Sequence, residues 1–336
     1  MPLVDVQRLS KTFYVHKKEP GLLGSVRALL RRETIAKEAV REATFQIGEG
    51  EIVGLVGANG AGKTTIVKML AGIVHPTSGD AQVLGHRPWQ RDNRLRRQMA
   101  LIMGQKAQLW WDLPAADCFL LLKEIYQIPD ERYHKTLQDL AERLEVTQEL
   151  TVQVRRLSLG ERMKMELIAA LLHQPKIVYL DEPTIGLDLT AQRTIRDFLL
   201  EYQREHRPAM ILTSHYMEDI ERLCQRIMII RTGDIVYDGP LAEIATKYAQ
   251  HKVVTAHLQR RGANERPSAV ELARLGEVLQ YDDSCVRIRM PRAEVAEGAA
   301  HILRRLSVAD LAIEDVDIGT IIEQLIKARA QTGADA

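Results

Sequence analysis

The sequence predicts an α/β fold carrying a small α+β appendix, and three observations lead there. The apolar run Ile52-Val53-Gly54-Leu55-Val56 leads into Gly57-Ala58-Asn59-Gly60-Ala61-Gly62-Lys63-Thr64, and the helical pattern Thr65-Ile66-Val67-Lys68-Met69-Leu70 follows. Strand, glycine loop and helix in that order match G-x-x-x-x-G-K-[ST], a loop whose backbone N–H groups curl around phosphate oxygens. The run Lys176-Ile177-Val178-Tyr179-Leu180-Asp181-Glu182-Pro183 is a short apolar strand ending in two acids. An α/β sheet sets its ligand chemistry at such a carboxyl end. Past Gly239-Pro240, residues 252–336 alternate strand-like and helical runs, with charge and small residues that do not suit a continued core sheet.

Taken in order, Val4 to Tyr14 reads as an edge strand. Residues 15–38 read as an insertion: His16-Lys17-Lys18-Glu19-Pro20-Gly21 suits a turn, and Ser25 to Arg32 suits an amphipathic helix capped by Ser25. That segment is either a solvated excursion or a contact with a membrane surface or partner. Glu42 to Val56 gives paired strands about a Gly48-Glu49-Gly50-Glu51 turn. In the glycine loop, Lys63 can reach β- and γ-phosphates and Thr64 can offer its hydroxyl to Mg²⁺. The helix that follows adds its positive dipole end. Ala81-Gln82-Val83-Leu84 is a further strand, and Gln105 lies just past the apolar run Met99-Ala100-Leu101-Ile102-Met103. From Pro114 to about Thr151 the pattern is helical, with Leu120-Leu121-Leu122 and Ile125 marking one helix and Leu137, Leu140 and Leu144 another. Leu157-Ser158-Leu159-Gly160-Glu161 opens a helix running to His173, and its N-terminus suits an anion. Asp181 is suited to a Mg²⁺ shell, and Glu182 to orienting and deprotonating an attacking water. Gly186-Leu187-Asp188 and Thr213-Ser214-His215 follow. In the appendix, 253–258 and 285–290 read as strands, and Ala293 to Leu306 and Ile318 to Arg329 as helices.

This ordered set resembles the ATP-binding cassette (ABC) ATPases over roughly the first 240 residues. Phosphate loop, Gln loop, signature, acidic strand with trailing Glu, D-loop and switch His stand in the family's order. The resemblance implies a phosphate-loop ATPase core, an antiparallel β subdomain and a helical subdomain at about 106–165, all within a 1–240 cassette, with an accessory domain at 241–336. It implies ATP and Mg²⁺ as ligands. Nucleotide contacts would come from Gly57, Ala58, Asn59, Gly60, Ala61, Gly62, Lys63, Thr64, Thr65, Phe13, Gln105, Ser158, Gly160 and Glu161. Metal contacts would come from Thr64, Gln105 and Asp181, and catalysis from Glu182, His215 and Lys63. An aromatic near the first strand stacks on adenine in the family. Phe13 and Tyr14 face opposite sides of a strand, so one of them at most does so. One departure is visible: the signature usually reads Leu-Ser-Gly-Gly-Gln, whereas Leu159 and Glu161 stand here. Ser158 and Gly160 still supply a hydroxyl and a backbone N–H.

The chain has 336 residues, 46% apolar, and a net charge near +1. No segment concentrates the basic excess of a nucleic-acid binder. Cys118, Cys224 and Cys285 are far apart and read as buried thiols in a reducing cytosol. No apolar run nears the ~18 residues of a membrane span, and the start has no signal-peptide layout. A transporter of this kind therefore borrows its pathway from permease subunits, here expected to be of the ABC-2 type. Its place is peripheral, on the cytoplasmic face of the cell membrane. One phosphate loop and one signature per chain call for a second copy or a paralogous cassette facing the first. Leu109-Trp110-Trp111-Asp112-Leu113-Pro114 lies where such proteins receive a permease helix; docking and core packing are both open for the tryptophans. The insertion and the appendix resemble the ATPases of ABC-2 exporters. An importer ATPase, or a soluble ABC ATPase acting on ribosomes or DNA, is the alternative.

Overall fold

The computed structural model describes residues 2–16, 34–104, 106–248, 251–258, 272–315, 319, 321 and 322. Two compact units divide the chain, Met1–Gly239 and Pro240–Ala336.

The first unit holds two sheets. The larger has six strands in the order β5-β6-β7-β3-β8-β9, formed by Met99–Met103, Ile177–Asp181, Ala209–Thr213, Ile52–Gly57, Arg226–Arg231 and Asp234–Pro240. From β5 to β8 neighbouring strands are parallel. A parallel sheet covered on both faces wants continuous apolar strands, and Ile177–Leu180 and Ala209–Thr213 are buried throughout. The smaller sheet is antiparallel, with β1 (Val4–His16) between β2 (Thr34–Ile47) and β4 (Ser78–Val83). Helix α1 (Lys63–Leu70) places Ile66, Val67, Met69 and Leu70 in one core with Val4, Val6, Phe45 and Ile47 of the small sheet and Val53, Leu55, Tyr179 and Ile211 of the large one. Each such side chain, fully buried, contributes about 1.5–3 kcal/mol.

Three expectations are corrected here. β1 is the centre of its sheet, not an edge: it pairs with β2 as far as His16↔Thr34 and with β4 from Val4↔Val83 to Ser10↔Ser78. β2 and β3 do not pair with each other across the Gly48–Gly50 turn, because β3 is already flanked by β7 and β8. The pairing out to Thr34 also places Thr34–Glu38, counted with the insertion, inside β2. The helix expected over Ser25–Arg32 lies outside the described residues.

The short α2 (Asn93–Arg96) precedes β5. Helices α3 (Ala115–Tyr126) and α4 (Asp130–Arg143) start after Pro114 and Pro129, where a missing N–H costs nothing. The buried residues of α3 include Ala115, Cys118 and Phe119, whereas Leu120, Leu121 and Ile125 are exposed. Then come α5 (Leu159–Leu171), α6 (Leu189–His206) and α7 (Met217–Leu223). All three cysteines are buried and free. No described helix is long and apolar enough to cross a membrane.

The second unit begins with α8 (Leu241–Tyr248). An antiparallel sheet of order β11-β12-β10-β13 follows, built from Glu277–Tyr281, Cys285–Pro291, His251–Leu258 and Val308–Asp315. Alternate residues Val254 and Ala256, and Val286, Ile288 and Met290, meet Val295, Ala299 and Ile302 of α9 (Val295–Arg305) in a separate core. The periods of 2 and 3.6 are those expected of a sheet face and a helix stripe. Strands β11 and β13 add to the two read from the sequence. Of the helix expected over Ile318–Arg329, only 319, 321 and 322 are described.

Candidate functional site

The carboxyl ends of β6, β7 and β3 lie side by side, with Asp181 opposite Thr213 and Thr213 opposite Leu55. The loop leaving β3 turns into α1 at Gly62, which has φ 119. A Cβ there would sit 2.3 Å from the Ala39 carbonyl, so only glycine fits. The loop closes with the Ala61 N–H donating to the Ala58 carbonyl at 3.1 Å. Ala58, Asn59 and Gly60 are exposed, while Ala61, Gly62 and Lys63 are buried.

Lys63 folds back over this loop. Its Nζ donates to the Gly57 carbonyl at 2.6 Å and the Ala58 carbonyl at 3.2 Å. Burial lowers the pKa of its ammonium, while Glu182 and then Asp181 pull it back up. Thr64 Oγ1 donates to Asp181 Oδ1 at 3.2 Å, and Thr213 Oγ1 donates to the same oxygen at 2.6 Å. Thr213 Oγ1 in turn accepts the Glu182 N–H at 3.1 Å. Glu182 turns the chain with φ 58, and its Oε1 lies 2.7 Å from His215 Nε2. The Gly104 N–H donates to the Asp181 carbonyl at 2.8 Å. A Cβ at Gly104 would come within 2.0 Å of the Glu182 carbonyl. That close approach brings the chain leading to Gln105 against the acidic strand; Gln105 itself lies outside the described residues.

The structure thus brings Gly57 to Thr65, Asp181, Glu182 and His215 to one edge of the sheet. Ser158, Gly160 and Glu161 make their contacts elsewhere. Ser158 caps α5 in a reciprocal box: Glu161 N–H donates to Ser158 Oγ at 3.3 Å, and Glu161 Oε2 accepts Ser158 N–H and Oγ–H, both at 2.8 Å. Glu161 therefore fills a capping role that the signature alone did not reveal. A Cβ on Gly160 would lie 3.0 Å from Ala191 Cβ in the first turn of α6, which Asp188 caps. Phe13 and Tyr14 are 37% and 68% exposed, so neither packs in the core, and Lys11 Nζ stands 5.1 Å from the Phe13 ring centre. Trp110 and Trp111 are 45% and 51% exposed, which excludes a core role for both.

Two groups were not read from the sequence. Thr213 orients Asp181 and Glu182 at once, and its only signal was its place next to Ser214 and His215. Asp219, fully buried in α7, accepts hydrogen bonds from Thr184 Oγ1, Ser214 Oγ and Arg196 Nε, each at 2.5 Å. It ties the turn after Glu182 to the turn before His215.

The donor set suits a hydrated, hard cation. Thr64 Oγ1 and the Asp181 carboxylate are two oxygens close together, and the described residues hold no cluster of three or more acidic, His or Cys ligands. Mg²⁺ is bound that way, through one or two carboxylates plus substrate phosphates.

A glycine loop on a central parallel strand, feeding a helix and facing acids on a nearby strand, defines a phosphate-loop nucleoside triphosphatase. The family described as "ABC transporter" matches residues 40–185, and that described as "EvrA-like ABC transporter, C-terminal domain" matches residues 250–314. The ABC transporter ATP-binding protein NatA of Bacillus subtilis (strain 168) is 30% identical over 207 residues, covering 62% of this chain and 84% of NatA. The linearmycin resistance ATP-binding protein LnrL of the same organism is 27% identical over 281 residues, covering 81% of this chain and 89% of LnrL. A solved dimeric ATP-binding cassette in a post-hydrolysis state with ADP and Pi superposes with a TM-score of 0.58 at 20% identity, covering 70% of this chain and 98% of that one. The chain belongs to the ATP-binding subunits of ABC transporters, and it is an ATPase. ATP-binding subunits of this family dimerise and work with membrane permeases.

Proposed function

We propose that this chain is the motor of an ABC-2-type exporter, docked at the cytoplasmic face of the membrane, and that ATP is sandwiched between two copies. The observation that carries the hydrolytic part is the row Thr64–Asp181–Thr213–Glu182–His215, linked by contacts of 2.6 to 3.2 Å at adjoining strand ends. The loop N–H groups and Lys63 bind the phosphates. Thr64, Asp181 and Gln105 would hold Mg²⁺, which when bound neutralises phosphate charge. Glu182 takes the proton of the attacking water. His215 holds the Glu182 carboxylate in place and senses the γ-phosphate. Ser158 and Gly160, at the start of α5, face the γ-phosphate bound by the other copy, with Glu161 supporting Ser158. Phe13 or Tyr14, both exposed, offers a ring to the adenine. ATP thus closes the pair and hydrolysis opens it.

Export is supported by the name of LnrL, a resistance protein, because resistance to a compound is served by its removal. The dimer is supported by the solved cassette pair.

Glu182→Gln tests the site. It keeps ATP binding, which residues 57–64 deliver, but loses ~10²–10⁴ in turnover and accumulates as an ATP-bound dimer on gel filtration. Turnover near that of the parent would remove Glu182 as the base.

A further inference from the structure

The side of α5 that meets residues 108–111 carries an acid and a base one turn apart. Glu166 is buried among apolar neighbours, and its Oε1 accepts the N–H groups of Gln108 at 2.7 Å and Leu109 at 3.1 Å. Arg162 lays its guanidinium over the Trp111 ring, 4.9 Å from the centroid. The same segment is bonded to the residues just ahead of the signature. Trp111 O accepts Arg155 N–H and Leu113 O accepts Val154 N–H, both at 3.0 Å, and Arg155 pairs with Asp112 at 2.9 Å. Residues 108–113 are therefore fastened on both sides of Ser158: to 154–155 before it, and to 162–166 after it.

A carboxylate is expensive to bury, and burial raises the pKa of Glu166 while the two backbone donors hold it down. An apolar side chain at this position would leave the two N–H groups without their acceptor. We propose that Glu166 is a positioning residue that locks the Trp110-Trp111 segment onto α5, so that the tryptophan surface and Ser158 at the helix N-terminus move as one piece when ATP closes the dimer. This rests on the reading that Ser158 meets the nucleotide of a second copy. The lock needs an acceptor oxygen, not a negative charge, and it plays no part in loading ATP onto a single copy.

The experiment compares ATP-driven dimerisation of the full chain with ATP binding to the monomer. Glu166→Leu should weaken dimerisation about tenfold, within the usual range of couplings between sites, and leave monomer ATP affinity within about twofold of the parent. Glu166→Gln, which keeps an acceptor, should dimerise like the parent. On the unaltered chain, the Gln108 and Leu109 amides should stay protected from hydrogen exchange with and without ATP. Their release on ATP addition overturns the lock with no variant made. So does parent-like dimerisation of Glu166→Leu, or a Glu166→Gln as impaired as Glu166→Leu. Ser158→Ala separates the two readings. If it dimerises like the parent, the sandwich falls and the purpose of the lock with it; if dimerisation needs Ser158 but ignores Glu166→Leu, the lock alone falls.

Discussion

His173 shows what a single buried group does to the whole. Its ring stacks on Tyr126 at 3.8 Å with planes 6° apart, and Nε2 lies 3.2 Å from the Met99 carbonyl. Nε2 therefore carries the proton, and Nδ1 is buried with no hydrogen-bond partner among the described residues. Burial lowers the pKa to about 4. The unfolded chain takes up a proton near pH 6.5, so between 6.5 and about 4 the unfolded state holds more protons and stability falls as pH falls. At pH 5 the loss is about 2 kcal/mol. Melting curves at pH 7 and pH 5 check this: His173→Phe, which keeps an aromatic ring against Tyr126, should lose less on acidification than the parent, and equal losses would remove His173 as the cause. At this scale, legibility in the sequence followed locality. That Lys63, Thr64, Asp181 and Glu182 come together at one sheet edge was readable, because each sits in a short local pattern at the end of an apolar strand. Thr213, Asp219 and Glu166 act on residues 31, 35 and 58 positions away. Only a charge on the apolar stretch of α5 could have flagged Glu166.

Elements were readable one by one, and their neighbours were not. The alternation in β1 announces a strand, but nothing local says that β4, reached some 70 residues later, pairs on its second side. The turn after β2 looks like a hairpin because the sequence does not show that β7 and β8 flank β3. α3 poses the opposite case. Its leucines mark a helix correctly, yet Leu120, Leu121 and Ile125 are exposed, as are Trp110 and Trp111 ahead of the helix. Trp110, Leu122, Tyr126, Ala169 and His173 line a groove of ≈350 Å³. Exposed apolar side chains beside a groove suit a partner surface, and under the proposed function that partner is the permease. Truncating a core tryptophan costs ~3–5 kcal/mol. Trp110→Ala and Trp111→Ala should instead each shift stability by under ~1 kcal/mol, with ATPase activity kept in isolation. Co-purification with the permease should weaken by ~2 kcal/mol or more. A collapsed melting temperature, or undiminished assembly, would take the pair out of the coupling route.

Under the proposed sandwich, each copy of the molecule carries half of each site. The division after Gly239 falls at the end of β9, and the second unit has its own core; Gly57 to Thr65, Ser158, Asp181, Glu182 and His215 all lie in the first unit. There the phosphate loop and the signature sit on different elements, α1 and α5. Twofold pairing would set the Ser158 end of one copy's α5 against the nucleotide held by the other copy's Lys63, a closed, isologous arrangement. Complementation tests this without a structure of the dimer. Lys63→Ala should lose monomer ATP binding, whereas Ser158→Ala should bind ATP but fail to dimerise, and each alone should be inactive. In an equal mixture, half the dimers pair one copy of each. Such a dimer joins the intact loop of the Ser158→Ala copy to the intact signature of the Lys63→Ala copy. One of its two sites is whole, so the mixture should regain about a quarter of parental turnover if the halves exchange freely. If the signature served its own chain's nucleotide, every copy would carry one broken part of its own site and mixing would restore nothing. Recovery on mixing is therefore the result that only a site shared between copies can give.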